Sequence, residues 1–384
     1  MSEEIIANNL NETKYEVDDL VFNQYKVIKQ IAKGGMNSYI YLAEDTHIQE
    51  ENHPDRFVAI KVINRSQEMS QVDWDRFHDE CITAIRVSEC PNVIKTFRIK
   101  ENIEKTSLTI VMEYVNGKSL RQVLNQQGAL SVNESLFLFR KILLALKSLY
   151  SFKQKVIHRD LKPENILLSK DRTELKIIDF GIASIIAQSH KNSLISNESQ
   201  LFGTYPYLSP DLLKVFNAKD ESDKLNIINE QCDFFSIGVI LYEMLVGSKP
   251  FIAADYSKEE VIGLPLKYDL PDMNRSNPKI PVGLENIVFR CIASKKEDIK
   301  FRYNSIDEII ADLDELEIDV NKQQNQHLLK PYHKRVMQNS IFNVDKEKTK
   351  TKFYVSAWFF WTLTWLTILL GVTAIILILV FHLI

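Results

Sequence analysis

One stretch constrains this chain more than any other: Val156-Ile-His-Arg-Asp-Leu-Lys-Pro-Glu-Asn-Ile-Leu-Leu168, with Ile178-Asp-Phe-Gly181 ten residues further on. The Leu and Ile runs read as short strands that hold the loop between them rigid. Inside the loop, Asp160 reads as an unpaired carboxylate suited to accept a hydroxyl proton. Lys162, two residues on, is placed to steady a phosphate. Asn165 and Asp179 are hard oxygen ligands of the kind Mg2+ prefers. The chemistry these residues suit is phosphoryl transfer.

Composition narrows the partners. A net charge of −4 with no dominant basic face gives no argument for nucleic acid. Cys81, Cys90, Cys232 and Cys291 lack C-x-x-C spacing, which argues against a zinc site or a disulfide framework and suits a reducing compartment. The N-terminus has no apolar run of the secretory kind. Residues 1–22 are polar and acidic without sustained periodicity, and read as a flexible acidic arm.

From Tyr25 the pattern changes. Tyr25 to Ile31 alternates as a strand does, and Ile31-Ala-Lys-Gly-Gly-Met-Asn-Ser-Tyr-Ile40 places glycines between two strands. Such a loop lets backbone N–H groups approach a polyphosphate. Thr46 to Arg56 reads as a surface loop. Lys61 then sits in the apolar strand Phe57–Ile63, where a lysine is costly unless paired. A helix is expected over Ser70–Ser88, and strands over Val93–Lys100 and Ser107–Tyr114. Ser131-Val-Asn-Glu134 has the spacing of a capping box opening a long helix. Cys232 to Gly247 is apolar nearly all round and reads as a buried helix.

The run from His158 to Asn165, followed by Asp179-Phe-Gly181, fits H-R-D-L-x-x-x-N and D-F-G at every fixed position. By these motifs the chain resembles the eukaryotic-like Ser/Thr protein kinases, the bacterial membrane-bound branch in particular. The resemblance covers about Tyr25 to Leu316. It implies an α+β fold of two lobes, a small antiparallel-sheet N-lobe and a mainly helical C-lobe, with ATP and Mg2+ as cofactors. Asp160 and Lys162 would be catalytic, and Asn165 and Asp179 would hold the metal. Ile31, Ala32, Lys33, Gly34, Gly35, Met36, Asn37, Ser38, Tyr39 and Ile40 would form the ATP lid. Here the sequence departs from the family's G-x-G-G-M-x-x-V: Ala32 replaces the first glycine, and one extra residue precedes Ile40. Lys61 would hold the α/β-phosphates and meet Glu80, with Asp79 the neighbouring alternative. Glu113 and Val115 would present backbone to the adenine edge, with Met112 behind. Asp233 would accept N–H bonds from the catalytic loop, and Asp211 would pair with Arg302. Gly203 to Asp211 resembles the substrate-docking segment, and Thr204 with Lys162 favours Ser/Thr over Tyr.

Between Gly181 and Gly203 the sequence is rich in Ser and Asn, as mobile loops are. Arg159 is the type of residue that would pair with a phosphate there, so Ser193, Ser196 and Ser199 are candidate regulatory phosphosites. Self-association for autophosphorylation goes with this expectation.

The last part of the chain is different in kind. Residues 321–352 hold eight Lys/Arg against two acids, and Phe353 to Ile384 contains no Asp, Glu, Lys or Arg. A run of that length can span a bilayer once, with Trp358, Trp361 and Trp365 at one interface and the lysines before it kept in the cytoplasm. The expected organisation is therefore an arm (1–22), a kinase domain (23–318), a basic juxtamembrane linker (319–352) and a transmembrane helix (353–384). The expected activity is phosphorylation of protein Ser/Thr hydroxyls by a single-pass cell-membrane kinase facing the cytoplasm. A membrane-anchored pseudokinase scaffold is the alternative suggested by the altered glycine loop. A small-molecule phosphotransferase is disfavoured by the docking segment and Lys162.

Overall fold

The structure is a computed structural model that describes residues 12–34, 37–66, 69–153, 155–179, 205–211, 229–251 and 258–318. All of these lie within Met1–Leu328. Six antiparallel strands come first: β1 (Leu20–Val21), β2 (Tyr25–Gly34), β3 (Ser38–Asp45), β4 (Phe57–Asn64), β5 (Thr96–Glu101) and β6 (Ser107–Glu113). Their order across the sheet is β1-β2-β3-β4-β6-β5.

Strand alternation sends side chains to two faces, and here both are covered. Tyr39, Tyr41 and Ala43 share one face with Val58, Ile60, Val62 and Val111, capped by Tyr15, Phe22 and Phe97. On the other face, Ile63, Leu108 and Ile110 pack against Trp74, Phe77 and Cys81 of helix α1 (Gln71–Arg86). Double burial explains why β4 reads as an unbroken apolar run rather than an alternating one. By the same alternation Lys61 belongs to the α1 face, with Ile63.

The rest is mainly helical. A small sheet of β7 (Gly117–Ser119), β8 (Ile166–Ser169) and β9 (Leu175–Ile177) holds the sequence motif. Helices α2 (Leu120–Gln127) and α3 (Val132–Tyr150) come before it. After it come α4 (Glu230–Val246), α5 (Lys258–Lys267), α6 (Met273–Ser276), α7 (Val282–Ile292) and α8 (Ile306–Ile318). Every residue of α4 from Cys232 to Leu245 is buried. That is why it shows no amphipathic stripe. It ends at Gly247, which takes φ 83° and returns its N–H to Glu243 O at 2.8 Å, a left-handed cap that suits glycine.

Several expectations need adjusting. Ser131 caps α3 by accepting from Glu134 N–H, but the reciprocal bond goes elsewhere, because the Glu134 carboxylate pairs with Arg172 at 2.8 Å. The complete capping box belongs to α2, between Ser119 and Gln122. Residues 12–22 do not behave as a free arm. They make specific bonds to the sheet, and Leu20–Val21 adds a strand to it. The strand expected from Val93 begins at Thr96. No helix among the described residues is long and apolar enough to cross a membrane, and residues 353–384 lie outside them, as do Ser193, Ser196 and Ser199.

Asp211 and Arg302 do meet. The Arg302 Nη1–Asp211 Oδ2 distance is 2.5 Å, and Arg302 Nε donates to Ala293 O at 2.7 Å. The pair anchors the end of the docking segment in the helical core.

Gly238 lets α4 and α7 approach closely: a Cβ there would stand 2.6 Å from Cys291 Cβ and 2.8 Å from Ile292 Cγ1. Neither atom is the free end of a long side chain. Gly238→Ala should therefore destabilise by about 1–3 kcal/mol through overpacking, despite alanine's better helix propensity. Differential scanning fluorimetry would read this as a lowered melting temperature; an unchanged one would refute the close contact.

Candidate active site

The catalytic loop is built on a buried carboxylate. Asp233, near the start of α4, has no solvent exposure. Its Oδ2 accepts from His158 N–H at 2.8 Å and from Tyr150 O–H at 2.9 Å. Its Oδ1 accepts from Arg159 N–H at 2.8 Å. Burial pushes the Asp233 carboxyl up, and these donors with His158 offset only part of that push. Arg159 is held at φ 69°, a conformation that side-chain-bearing residues seldom adopt. Such strain persists where surrounding bonds over-determine it, as Asp233 does here. His158 fixes the next turn. Its Nε2–H donates to Ile178 O at 3.0 Å, and its Nδ1 accepts from Asp160 N–H at 3.3 Å.

Asp160 is not the unpaired carboxylate the sequence suggested. Lys162 Nζ lies 2.8 Å from its Oδ2 and 3.1 Å from its Oδ1. Asn165 Nδ2 donates to the same Oδ2 at 3.0 Å and to Asp160 O at 2.8 Å. The reason is geometric: Pro163–Asn165 forms a 3-10 turn that brings residue 165 back over residue 160. Its amide nitrogen is committed to Asp160, which leaves the side-chain oxygen of Asn165 to act as an acceptor. Ile178 N–H donates to Asn165 O at 3.0 Å, which ties the Asp179 segment to this turn.

Asp179 sits at φ 59° and pairs with Lys61 across the cleft, Nζ–Oδ1 2.6 Å. Burial alone would raise the Asp179 carboxyl, but the Lys61 ammonium, with Lys162 further off, outweighs it and holds it below its usual value. Asp179 is therefore an anion at neutral pH. Together with the side-chain oxygen of Asn165 it offers a hard, negatively charged donor set suited to a divalent cation. Glu80 lies on α1, but its side chain is outside the described residues.

Ile31, Ala32, Lys33 and Gly34 end β2, and Ser38, Tyr39 and Ile40 begin β3, while Gly35 and Met36 lie outside the described residues. Asn37 takes φ 50° at the turn. Ala32 pairs with Ile40, and Ile40 pairs with Lys61, so the lid and the lysine share adjoining register positions. A Cβ on Gly34 would stand 2.3 Å from Ser38 Oγ, so a side chain there would require the Ser38 hydroxyl to move aside. At the linker between the lobes, Glu113 N–H donates to Lys95 O at 2.9 Å. The Glu113 carboxylate accepts from Lys95 N–H at 2.7 Å and pairs with Lys176 at 2.7 Å. Val115 is half-buried just beyond, and Met112 packs on the Ile63 cluster.

Sequence reasoning passed over a second charge cluster beside the loop. Arg121 of α2 reaches Glu164 in the 3-10 turn at 2.8 Å and Glu243 of α4 at 2.8 and 3.2 Å. Tyr207, in the docking segment, hydrogen-bonds both Arg121 and Glu243. Lys249 stands 5.3 Å over the Tyr207 ring. Burial lowers the Lys249 ammonium, with Arg121 adding to the effect. The signal in the sequence was Glu243, a carboxylate inside an otherwise apolar helix, which must have a cation.

Removing the buried anchor has a definite expected cost. Asp233→Ala leaves the Tyr150 hydroxyl and two backbone N–H groups without an acceptor, which should destabilise by at least about 3 kcal/mol. Thermal denaturation checks it, and a loss under about 1 kcal/mol would mean the loop is held by other contacts.

Comparison with known proteins agrees with this geometry. Residues 25–298 match the protein kinase domain family. A Mycoplasma pneumoniae (strain M129) protein with the provisional designation serine/threonine-protein kinase is 38% identical over 341 residues, covering 84% of this chain and 86% of that one. A Mycoplasma genitalium (strain G37) protein so designated is 36% identical over 390 residues, 96% of this chain and 98% of the other. The serine/threonine-protein kinase PrkC of Bacillus subtilis is 28% identical over 296 residues, 76% of this chain and 40% of its own. With the motif loop, the paired Lys61 and Asp179 and the two-lobed frame inside the matched span, this chain belongs to the protein kinase family.

Proposed function

We propose that the chain transfers the γ-phosphate of ATP to Ser and Thr hydroxyls of proteins, its own 181–204 segment included, while anchored in a membrane by residues 353–384. The observation that carries the catalytic reading is the joint placement of Lys61, Asp179, Asn165, Lys162 and Asp160 around one cleft. Asp160 accepts the proton of the attacking hydroxyl, and Lys162, already 2.8 Å from it, neutralises charge on the transferring group. Asn165 and Asp179 would hold Mg2+, which would supply positive charge to the phosphate oxygens. Lys61 orients the α- and β-phosphates, and the peptide groups of Glu113 to Val115 take the adenine edge. Catalysis of this kind is mostly positioning and charge neutralisation, which a loop fixed by Asp233 provides.

A pseudokinase scaffold keeps the fold without transfer. What speaks against it is that each catalytic position holds the residue the chemistry needs, and that relatives named as kinases cover nearly the whole chain. We propose a kinase domain over 23–318 with residues 12–22 packed onto its sheet, and 319–352 as a basic linker beside the cytoplasmic surface. The lysines of that linker suit anionic lipid headgroups.

The deciding experiment incubates the full chain in detergent with labelled ATP and Mg2+, beside Asp160→Asn. We expect phosphate on Ser or Thr by mass spectrometry, lowered by roughly two to four orders of magnitude in the variant, and abolished by EDTA. Equal labelling of both proteins would remove Asp160 from the mechanism, and labelling on Tyr alone would overturn the Ser/Thr assignment. For the anchor, the full chain should stay with membranes through an alkaline carbonate wash, and a chain ended at Lys352 should be released. Retention of the shortened chain would show that residues 353–384 are not the anchor.

A further inference from the structure

The segment that composition reads as free is tied to the lid. Glu12 Oε1 accepts from Asn37 Nδ2, and Glu12 Oε2 accepts from the Tyr39 hydroxyl at 3.2 Å. Lys14 pairs with Glu12 at 2.5 Å and stands 4.9 Å from the centre of the Tyr39 ring. Behind them, Thr13 N–H donates to Asn64 Oδ1 at 2.8 Å, and Asn64 Nδ2 donates to Thr13 O and Asn37 O, each at 3.2 Å. Thr13 Oγ1 meets Ser107 Oγ at 2.7 Å, and the Tyr15 ring packs edge-on to Tyr41 at 5.7 Å. These contacts lie on the face of the sheet opposite Lys61. The strap therefore touches the lid from outside and leaves the nucleotide side clear.

We infer that Glu12 is a positioning residue for nucleotide: residues 12–16 form a strap that latches the β2–β3 turn at Asn37 and so sets the affinity for Mg·ATP. The inference rests on the reading of that turn as the ATP lid. Its physical basis is preorganisation. Asn37 holds a left-handed conformation, and both its side chain and its carbonyl are tied down, by Glu12 and Asn64. A lid ordered beforehand loses less conformational freedom when it closes on phosphates. Among the described residues the strap reaches none of the helical half, so its effect falls on ATP and not on the protein substrate.

The test uses the full chain in detergent. A fluorescent ATP analogue with Mg2+ is titrated into wild type, Glu12→Ala, Glu12→Gln and Asn37→Gly, and KM is measured separately for ATP and for a Ser-containing peptide. Loss of the Asn37 bond to the charged Glu12 carboxylate alone predicts ATP affinity weaker by about five-fold or more in Glu12→Ala, with the peptide KM unchanged. Glu12→Gln keeps an acceptor for Asn37 and should recover most of the affinity. Adding Glu12→Ala to Asn37→Gly should change little, because the latch is already open. Unchanged ATP affinity in Glu12→Ala, or peptide and ATP KM rising together, overturns the strap while leaving the kinase reading intact. Additive effects in the double variant overturn it too, even if Glu12→Ala lowers the melting temperature. A wild-type chain that binds no Mg·ATP overturns the kinase reading and the strap with it.

Discussion

A single buried carboxylate, Asp233, fixes where the chemistry happens. It belongs to a helix whose surroundings are apolar, and it spends both oxygens on the backbone and side chain of other elements. Burying a charge is expensive, and it is tolerated here because three donors converge on it. In return, the loop bearing Asp160 is pinned to a helix buried at every residue from Cys232 to Leu245. Arg159 can then remain at a positive φ, and the chain can reverse into the 3-10 turn that carries Asn165 over Asp160. Remove the anchor, and the strained Arg159 loses the bond that holds its backbone, while the turn beyond it keeps only the Asp160–Asn165 and Arg121–Glu164 ties.

The second requirement is that the two halves meet across the cleft. Exposed ion pairs contribute little to such a closure. The Lys61–Asp179 pair is different, since Lys61 is almost buried and its partner lies in the opposite half. Two further ties work alongside it. Ile94 N–H donates to Ile177 O at 3.0 Å, and the Glu113 carboxylate joins Lys95 N–H to Lys176. Linker, bridge and ion pair fix the cleft at three separate points. The Arg121 cluster plays the corresponding part on the other side of the loop, where it holds Tyr207 of the docking segment and Glu164 to the same helix as Asp233.

What was legible in the sequence follows from motif or from cost. The roles of Asp233 and of the charged residues of the 158–165 loop were legible through the motifs the chain shares with the family it resembles, whereas Lys61 in an apolar strand breaks a local pattern. A broken pattern demands a partner. The buried helix and the strand bearing Lys61 were legible for the same reason, because unbroken apolar runs leave few alternatives. Partner identity was harder. Nothing in the spacing of His158 to Asn165 says that Lys162 and Asn165 turn inward on Asp160, and nothing near Glu134 says that Arg172 will claim its carboxylate. Those pairings depend on chain reversal in three dimensions, which periodicity does not encode. The strap was missed because polar composition looks the same whether the groups face water or the polar atoms of a sheet surface. Thr13, Tyr15 and Glu12 face Asn64, Ser107, Thr109, Asn37 and Tyr39, which together make a polar rim that only the folded sheet assembles.

That rim bears on how an altered glycine loop can still serve. Ala32 stands where the family motif has its first glycine, so the lid has less backbone freedom at that point than a glycine would give it. Freedom matters less for a lid that is held in place than for one that must find its place. Ala32 is paired in the sheet with Ile40 next to a register shift after Gln30, and Ile40 is paired with Lys61. The turn beyond them is tied through Asn37 to Glu12 and Asn64. The lid is thus continuous with β4 on one side and with the strap on the other. The described flanks of the lid are set by sheet register and by side-chain bonds on the outer face, so Asn37 is held before a phosphate enters from the Lys61 side.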